Sequence, residues 1–239
     1  MSKRNRPSLG VFVQIDQYPD GALTRGGCLV PRQGLNRRKV LEAALHIVDT
    51  EGLNDLTMRR LGQELGVEAP SLYKHVAGKA DILDGIIDLV YEEIDFGETE
   101  GAFRDRVRSY ARSFRQALLR HPNVVQLLAM RPVTGATTID LVETALAELS
   151  RLGFDPQAGR RFLNVTVNFI IGHTLSQVGE QQVALEEIME ARQRFDPAEY
   201  PNFSKSLASD PVDHDGEFEL AIDLIVDGIE RSVAAFAQA

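Results

Sequence analysis

A single cysteine, Cys28, occurs in 239 residues. That excludes a disulfide framework and a thiolate metal cluster, and suits a reducing compartment. Long apolar runs are absent as well. The stretch Phe162 to Gly179 is uncharged, yet its Asn, Thr, His, Ser and Gln residues make it too polar to span a membrane. Near the N-terminus the apolar run Leu9 to Val13 is too brief for the core of a secretory signal, so a cytoplasmic location is expected. No GxSxG elbow, Walker A loop, GxGxxG, HExxH or CxxC occurs. His46, His75, His121, His173 and His214 lie far apart and show no ligand spacing. Neither an enzyme nor a bound metal or cofactor is expected. His173, in the uncharged stretch, is the one histidine open to two readings, a pocket group or a satisfied core residue.

What remains is an ordinary globular composition, 44% hydrophobic and 26% charged with a mean hydropathy of −0.16, long enough to bury a substantial core. The net charge of −9 hides an asymmetry. Residues 1–80 carry 12 basic and 8 acidic side chains, whereas residues 81–239 carry 14 and 27. A basic head on an acidic body suits a protein that offers only its head to a polyanion, although charge blocks also serve solubility alone.

Residues 1–35 lack sustained periodicity and hold turn signals at Pro19-Asp20-Gly21 and Gly26-Gly27, as expected of a flexible arm. Its Lys3, Arg4, Arg6, Arg25 and Arg32 either add salt-sensitive affinity for DNA or form a solvated tail. From Asn36 the pattern turns helical. Val40, Leu41, Ala44, Leu45 and Val48 share one face, with Asn36 as N-cap and Gly52 past the end. Thr57 caps a short second helix stopped by Gly66, and Pro70 opens a third that runs to Gly78. Lys79 opens a longer fourth. Further helices are expected near 102–120, 122–130, 134–152, 156–179, 182–195 and 215–237, with 196–214 as a loop. The fold class is therefore all-α, with a three-helix unit at 36–80 and a helical body at 81–239. Asp213, Asp215, Glu217 and Glu219 mimic a cation site, but acids before a helix mostly complement its dipole.

Residues 57–79 have the form of a helix-turn-helix, in which the second helix enters the major groove and the first braces it. Leu61, Leu65, Val67, Leu72 and Val76 form its inner seam, which leaves Ser71, Tyr73, Lys74 and His75 facing outward. Hydroxyls and imidazole suit base edges and phosphates, and Lys74, Lys79 and Arg59 supply positive charge. A solvated corner of a helical bundle would show much the same pattern. The finer detail is more specific. Ala43-Ala44-Leu45, Gly52, Leu56-Thr57, Arg59, Leu61-Gly62, Leu65-Gly66-Val67, Ser71-Leu72-Tyr73, His75-Val76 and Lys79 stand at fixed spacing, and this run strongly resembles the DNA-binding domain of the tetracycline-repressor (TetR) family. The resemblance implies a homodimer with two DNA-binding heads on a ligand-binding body, and contacts to DNA from Thr57, Arg59, Pro70, Ser71, Tyr73, His75 and Lys79. Met58 and Ala69 depart from the threonine and glutamine of the tetracycline repressors, so the operator sequence is expected to differ.

Those repressors hold their drug as a magnesium chelate through a histidine just before an Arg-Pro pair and a later glutamate. Here Leu127, Leu128, Ala129 and Met130 precede Arg131-Pro132, and Ser176 falls where the glutamate would stand. Magnesium is therefore not expected. Instead Tyr110 and Phe114, Leu127 and Met130, and Asn164, Val167 and Asn168 suggest a lining for a flat, largely apolar molecule. Each apolar member is equally a core residue, and the two asparagines equally bond across a dimer seam. Phe218, Ile222, Ile225, Val226, Ile229, Val233 and Phe236 form a stripe on the last helix that packs within the chain or, being wide, leaves a face for a partner; dimerisation through 156–179 and 215–237 is expected. The function expected is a ligand-responsive repressor that binds double-stranded operator DNA. The alternatives are an activator of the same fold, or a helical ligand-binding protein or enzyme without DNA binding.

Overall fold

The computed structural model describes residues 34–95, 101–131, 134–181, 183, 187, 190, 195–206 and 212–236. The arm expected at 1–35 lies almost wholly outside them, as does most of the helix expected at 182–195. Among the described residues there are ten helices and no strand. They are α1 (Arg37–Glu51), α2 (Met58–Leu65), α3 (Ala69–Leu72), α4 (Lys79–Glu92), α5 (Phe103–Arg120), α6 (Pro122–Met130), α7 (Ala136–Arg151), α8 (Pro156–Gln181), α9 (Pro201–Ser206) and α10 (His214–Phe236).

Local chemistry sets the boundaries. Asn36 Oδ1 accepts from the Lys39 amide at 2.9 Å and starts α1, a cap of the kind worth about 1 kcal/mol. Thr57 Oγ1 does the same for α2 by accepting from Arg60 at 3.1 Å. Asp155 Oδ1 accepts from the amides of both Gln157 and Ala158, which fixes the start of α8. The segment 196–214 is not the plain loop its three prolines suggested. Pro201 opens the short α9, because a proline costs nothing in the first turn of a helix.

Val40, Ala44, Ile47 and Val48 of α1 are fully buried, as are Ile86 and Val90 of α4, Phe114 and Leu118 of α5, and Val124 and Val125 of α6. Burying each large apolar side chain contributes about 1.5–3 kcal/mol before entropy is counted. One core thus runs from the first helix to the last, and the expected head–body boundary at 80/81 falls inside α4.

The stripe foreseen on α10 is real but turned inward. Phe218, Ile222, Val226 and Ile229 are buried within the chain, and Ile225 and Val233 are half-buried. Leu220 and Leu224, 62% and 60% exposed, are the apolar residues that face outward instead. The acidic excess of α10 has a use within the fold. Arg104, Arg108, Arg112 and Arg115 on one face of α5 pair with Asp227, Asp223, Glu219 and Asp215 on α10, a ladder that fixes the antiparallel register of the two helices. Each rung is solvent-touched and worth at most about 1 kcal/mol, so the ladder specifies more than it stabilises.

Candidate nucleic-acid interface and ligand cavity

The tip begins with the crossing of α2 and α3. Gly66 takes the left-handed conformation (φ 64°) that ends α2, and its neighbour Val67 donates to Gly62 O at 2.9 Å. A Cβ on Gly62 would lie 2.8 Å from Val67 O, so the turn closes onto α2 only because that side chain is missing. Leu61 and Leu72 are fully buried beneath the turn. The expected third helix is shorter than foreseen. It spans Ala69–Leu72 and continues as a hydrogen-bonded turn, with His75 and Val76 both donating to Leu72 O. Leu72 and Val76 are buried all the same, so the outward set is preserved.

Tyr73, 57% exposed, stands out from the tip. Thr57, Arg59, Pro70, Lys74 and Lys79 are exposed beside it, while Ser71 and His75 are half-buried. Arg59, Lys74 and Lys79 form no ion pair with any described residue, whereas Arg60 is held between Glu51 and Glu64. The surface therefore presents cations with no internal counter-charge, as a phosphate-binding ridge requires. Asp81 locks the far end of the turn: it accepts from the Ala77 amide at 2.7 Å and pairs in bidentate fashion with Arg37. The Arg37 guanidinium holds the Asp81 carboxyl below its ordinary range, so this lock fails only in acid.

Three contacts tie the tip to the body. His121, between α5 and α6, meets Asp49 of α1 through Nδ1 at 2.8 Å and Glu93, just past α4, through Nε2 at 2.9 Å. Asn123 donates to Val48 O at 2.8 Å. Arg131 grips Asp84 of α4 at 2.6 Å. The hydrogen bond to Asp49 raises the His121 pKa above its ordinary value against the opposing effect of burial, with Glu93 adding to the rise. A raised pKa means that the stabilisation is complete below about pH 6.5 and is lost as pH climbs through the folded-state value. His121→Gln is expected to unfold at a lower temperature than the parent at about pH 6, with the gap narrowing toward about pH 8.5. A gap that stays constant in thermal scans over that range would contradict the clamp.

A cavity of about 200 Å³ lies among α4, α5, α7, α8 and α10. Its walls are mainly apolar, from Phe103, Val107, Leu141, Val142, Ala145, Phe162 and Ile229. Tyr110, Asn164 and Val167, foreseen as lining residues, are in the wall. Phe114 is not; it is fully buried behind Tyr91 and Tyr110, with ring centroids 5.3 and 5.9 Å away. Leu127 is committed to the core, Met130 is 75% exposed at the end of α6, and Asn168 faces outward on α8. Phe114 and Asn168 follow pocket residues by one helical turn without sharing the cavity, and none of the cavity's lining residues comes from α6, which carries Leu127 and Met130.

The polar handles are Tyr91, Tyr110, Thr138, Thr144, Asn164 and the Arg106–Glu148 pair (2.7 Å). Burial pushes Tyr91 up to about 12 and raises Tyr110 as well, so both phenols stay neutral at physiological pH. Thr138 carries special weight. It lines the cavity at the start of α7, and its hydroxyl donates to Asp88 of α4 at 3.0 Å. The cavity wall is thus bonded to the helix that carries the tip. Thr138, Arg106 and Glu148 escape sequence inspection, because isolated polar residues on amphipathic helices look like solvated ones.

Two family profiles match the chain: one for bacterial regulatory proteins of the tetR family over residues 40–86, the other for the tetracyclin repressor-like C-terminal domain over 97–233. The chain belongs to the TetR family. Among TetR relatives, the HTH-type transcriptional repressor DrrR1 of Streptomyces coeruleorubidus is 31% identical over 224 residues, covering 85% of this chain and 80% of that one. The class D tetracycline repressor protein of Escherichia coli is 35% identical over 150 residues, 60% of this chain and 66% of that one. Among solved TetR structures, that of ActR from Streptomyces coelicolor in complex with actinorhodin superposes with a TM-score of 0.73 at 26% identity, over 85% of this chain and 98% of that one. The chain is accordingly a ligand-responsive, DNA-binding transcriptional regulator with a TetR head and a TetR body. Among the described residues no helix is long and apolar enough to cross a membrane.

Proposed function

We propose that the chain is a cytoplasmic, non-enzymatic homodimeric repressor that leaves its operator when a planar, mostly apolar molecule with hydroxyl or carbonyl groups enters the cavity. One observation carries this reading: an uncompensated cationic tip and an apolar cavity share α4, and Thr138 joins the cavity wall to it. Thr57, Arg59, Pro70, Ser71, Tyr73, Lys74, His75 and Lys79 are the DNA-facing set, with residues 36–80 as head and 81–239 as body. A ligand that displaces α7 pulls on Asp88, rotates α4 and changes the separation of the two heads. That separation must match one helical turn of DNA, about 34–36 Å. The structure of the relative ActR in complex with actinorhodin supports a small-molecule effector. An electrophoretic shift of the DNA flanking the chain's own gene, with and without planar aromatic compounds, tests both halves. A shift that such compounds reverse supports the proposal, and DNA binding indifferent to all of them contradicts the effector half.

Dimerisation is assigned to the outward faces of α8 and α10. Val165 and Leu175 on α8, 54% and 39% exposed, and Leu220 and Leu224 on α10 supply an apolar surface interspersed with Gly172 and Gly179. Asn168 lies on this same face and suits a bond across the seam.

The cavity also argues against a hard-cation chelate. Among the described residues no histidine lines it, and the one lining carboxylate, Glu148, is engaged by Arg106 and Arg151. Effector affinity measured by fluorescence quenching is therefore expected to be the same in excess magnesium and in excess chelator. A tenfold or larger difference would overturn the metal-free reading.

A further inference from the structure

The fold brings together two histidines that stand 41 residues apart in sequence. His173 of α8 and His214, the first residue of α10, meet edge to face with ring centroids 6.0 Å apart. Glu217 lies one turn further along α10, and one ligand atom from each of the three residues falls within 4.8 Å of the others. Two features set this cluster apart from an ordinary surface grouping. Both ring nitrogens of His173 are sealed from solvent with no hydrogen-bond partner, although buried imidazoles almost always find one. The ring itself is fixed in place, packed against Phe169 and Phe218 at 5.5 Å each. The His214 ring is also oriented, because Glu180, two turns beyond His173 on α8, stands 3.2 Å from its Nε2.

We propose that His173, His214 and Glu217 form a site for a divalent transition ion of the zinc class, outside the effector cavity. Two imidazoles and a carboxylate, with a water in the fourth position, are a ligand set that zinc accepts and that magnesium and calcium do not favour. Glu180 supplies the carboxylate partner that histidine ligands usually have. Glu180, Asp215 and Glu217 lie about the two rings, and the guanidinium of Arg115 is already paired with Asp215 at 2.7 Å and hydrogen-bonded to Gln177 at 2.8 Å. Binding needs the exposed Glu217 to rotate in the first turn of α10 and the half-buried His214 to shift within its contact with Glu180, so that both close on the held His173 ring. The ion then staples α8 to the first turn of α10 and draws together the ends of the segment between residues 181 and 214. Both helices carry the outward faces assigned to dimerisation, so the metal reinforces the body rather than the ligand pocket.

The test uses the full, tag-free chain stripped with chelator and titrated with zinc chloride by calorimetry, alongside a chromophoric competitor, and with cobalt(II) for its visible absorption. One ion per chain is expected, with a rise in the thermal midpoint and a tetrahedral cobalt spectrum. Glu217→Gln, at an exposed position that leaves folding intact, weakens binding by at least about 10-fold. His173→Gln and His214→Ala abolish it, with circular dichroism confirming their helix content. Absence of zinc binding by the parent chain, or binding that these variants leave unchanged, overturns the site.

Discussion

Replacing Tyr73 and Lys79 together by alanine lowers operator affinity at least about 100-fold while helix content and dimerisation stay as in the parent. The size follows from symmetry. A dimer meets its operator with two heads, so each substitution counts twice, and a loss of about 1.4 kcal/mol per head suffices for that factor. Tyr73 and Lys79 contribute differently. The ring of Tyr73 stands clear of the core, and in the proposed interface its hydroxyl meets base edges or phosphates, so its loss is expected to relax sequence preference. Lys79 opens α4 beside the tip with no ion pair to any described carboxylate, so its loss is expected to lower affinity on every sequence and to reduce the salt slope by about 2. The readout is fluorescence anisotropy with labelled operator at several salt concentrations. Unchanged affinity and slope would remove the tip from the interface.

Filling the cavity has the opposite signature. Ala145→Phe places a phenyl ring into a space of about 200 Å³ already bounded by Phe103 and Phe162. Effector affinity falls at least about 100-fold, since the ring takes up the volume on which ligand burial depends. Operator affinity remains within a few-fold of the parent, because Ala145 lies on α7 and is not among the DNA-facing residues. The variant is thus a repressor deaf to its signal. A milder change, Thr138→Val, keeps the cavity but removes the hydroxyl that bonds Asp88, so the ligand binds and releases DNA less completely. Ligand binding by Ala145→Phe equal to the parent would show that the effector sits elsewhere.

The head was legible in the sequence because its constraints are local. Gly62 and Gly66 mark the turn, Thr57 and Asn36 announce caps, and Leu61, Leu72 and Val76 define the seam at helical spacing. The recognition helix proved shorter than foreseen because spacing reports which residues face inward, not how many consecutive hydrogen bonds hold them. The cavity was legible only in part. Tyr110, Asn164 and Val167 line it, but Phe114, Leu127, Met130 and Asn168 lie on neighbouring faces that periodicity does not separate. Separating them depends on the crossing angles of α5, α6 and α8, which no single helix encodes. The same limit reversed the last helix. Its apolar stripe closes the chain's own core against α5 and α8, and the arginine ladder from Arg104 to Arg115 turns Leu220 and Leu224 outward. His173 and His214 looked unrelated for a simpler reason: only the return of the chain between α8 and α10 places them together.

The central claim is that this tip grips duplex DNA as a symmetric pair. Its most direct test is a titration of the protein into labelled DNA taken from beside its own gene, with scrambled DNA of equal length as control. The account predicts two chains per DNA fragment, and affinity at least about 1000-fold above the control at physiological salt. Equal affinity for both fragments, or a single chain bound to each, would contradict it.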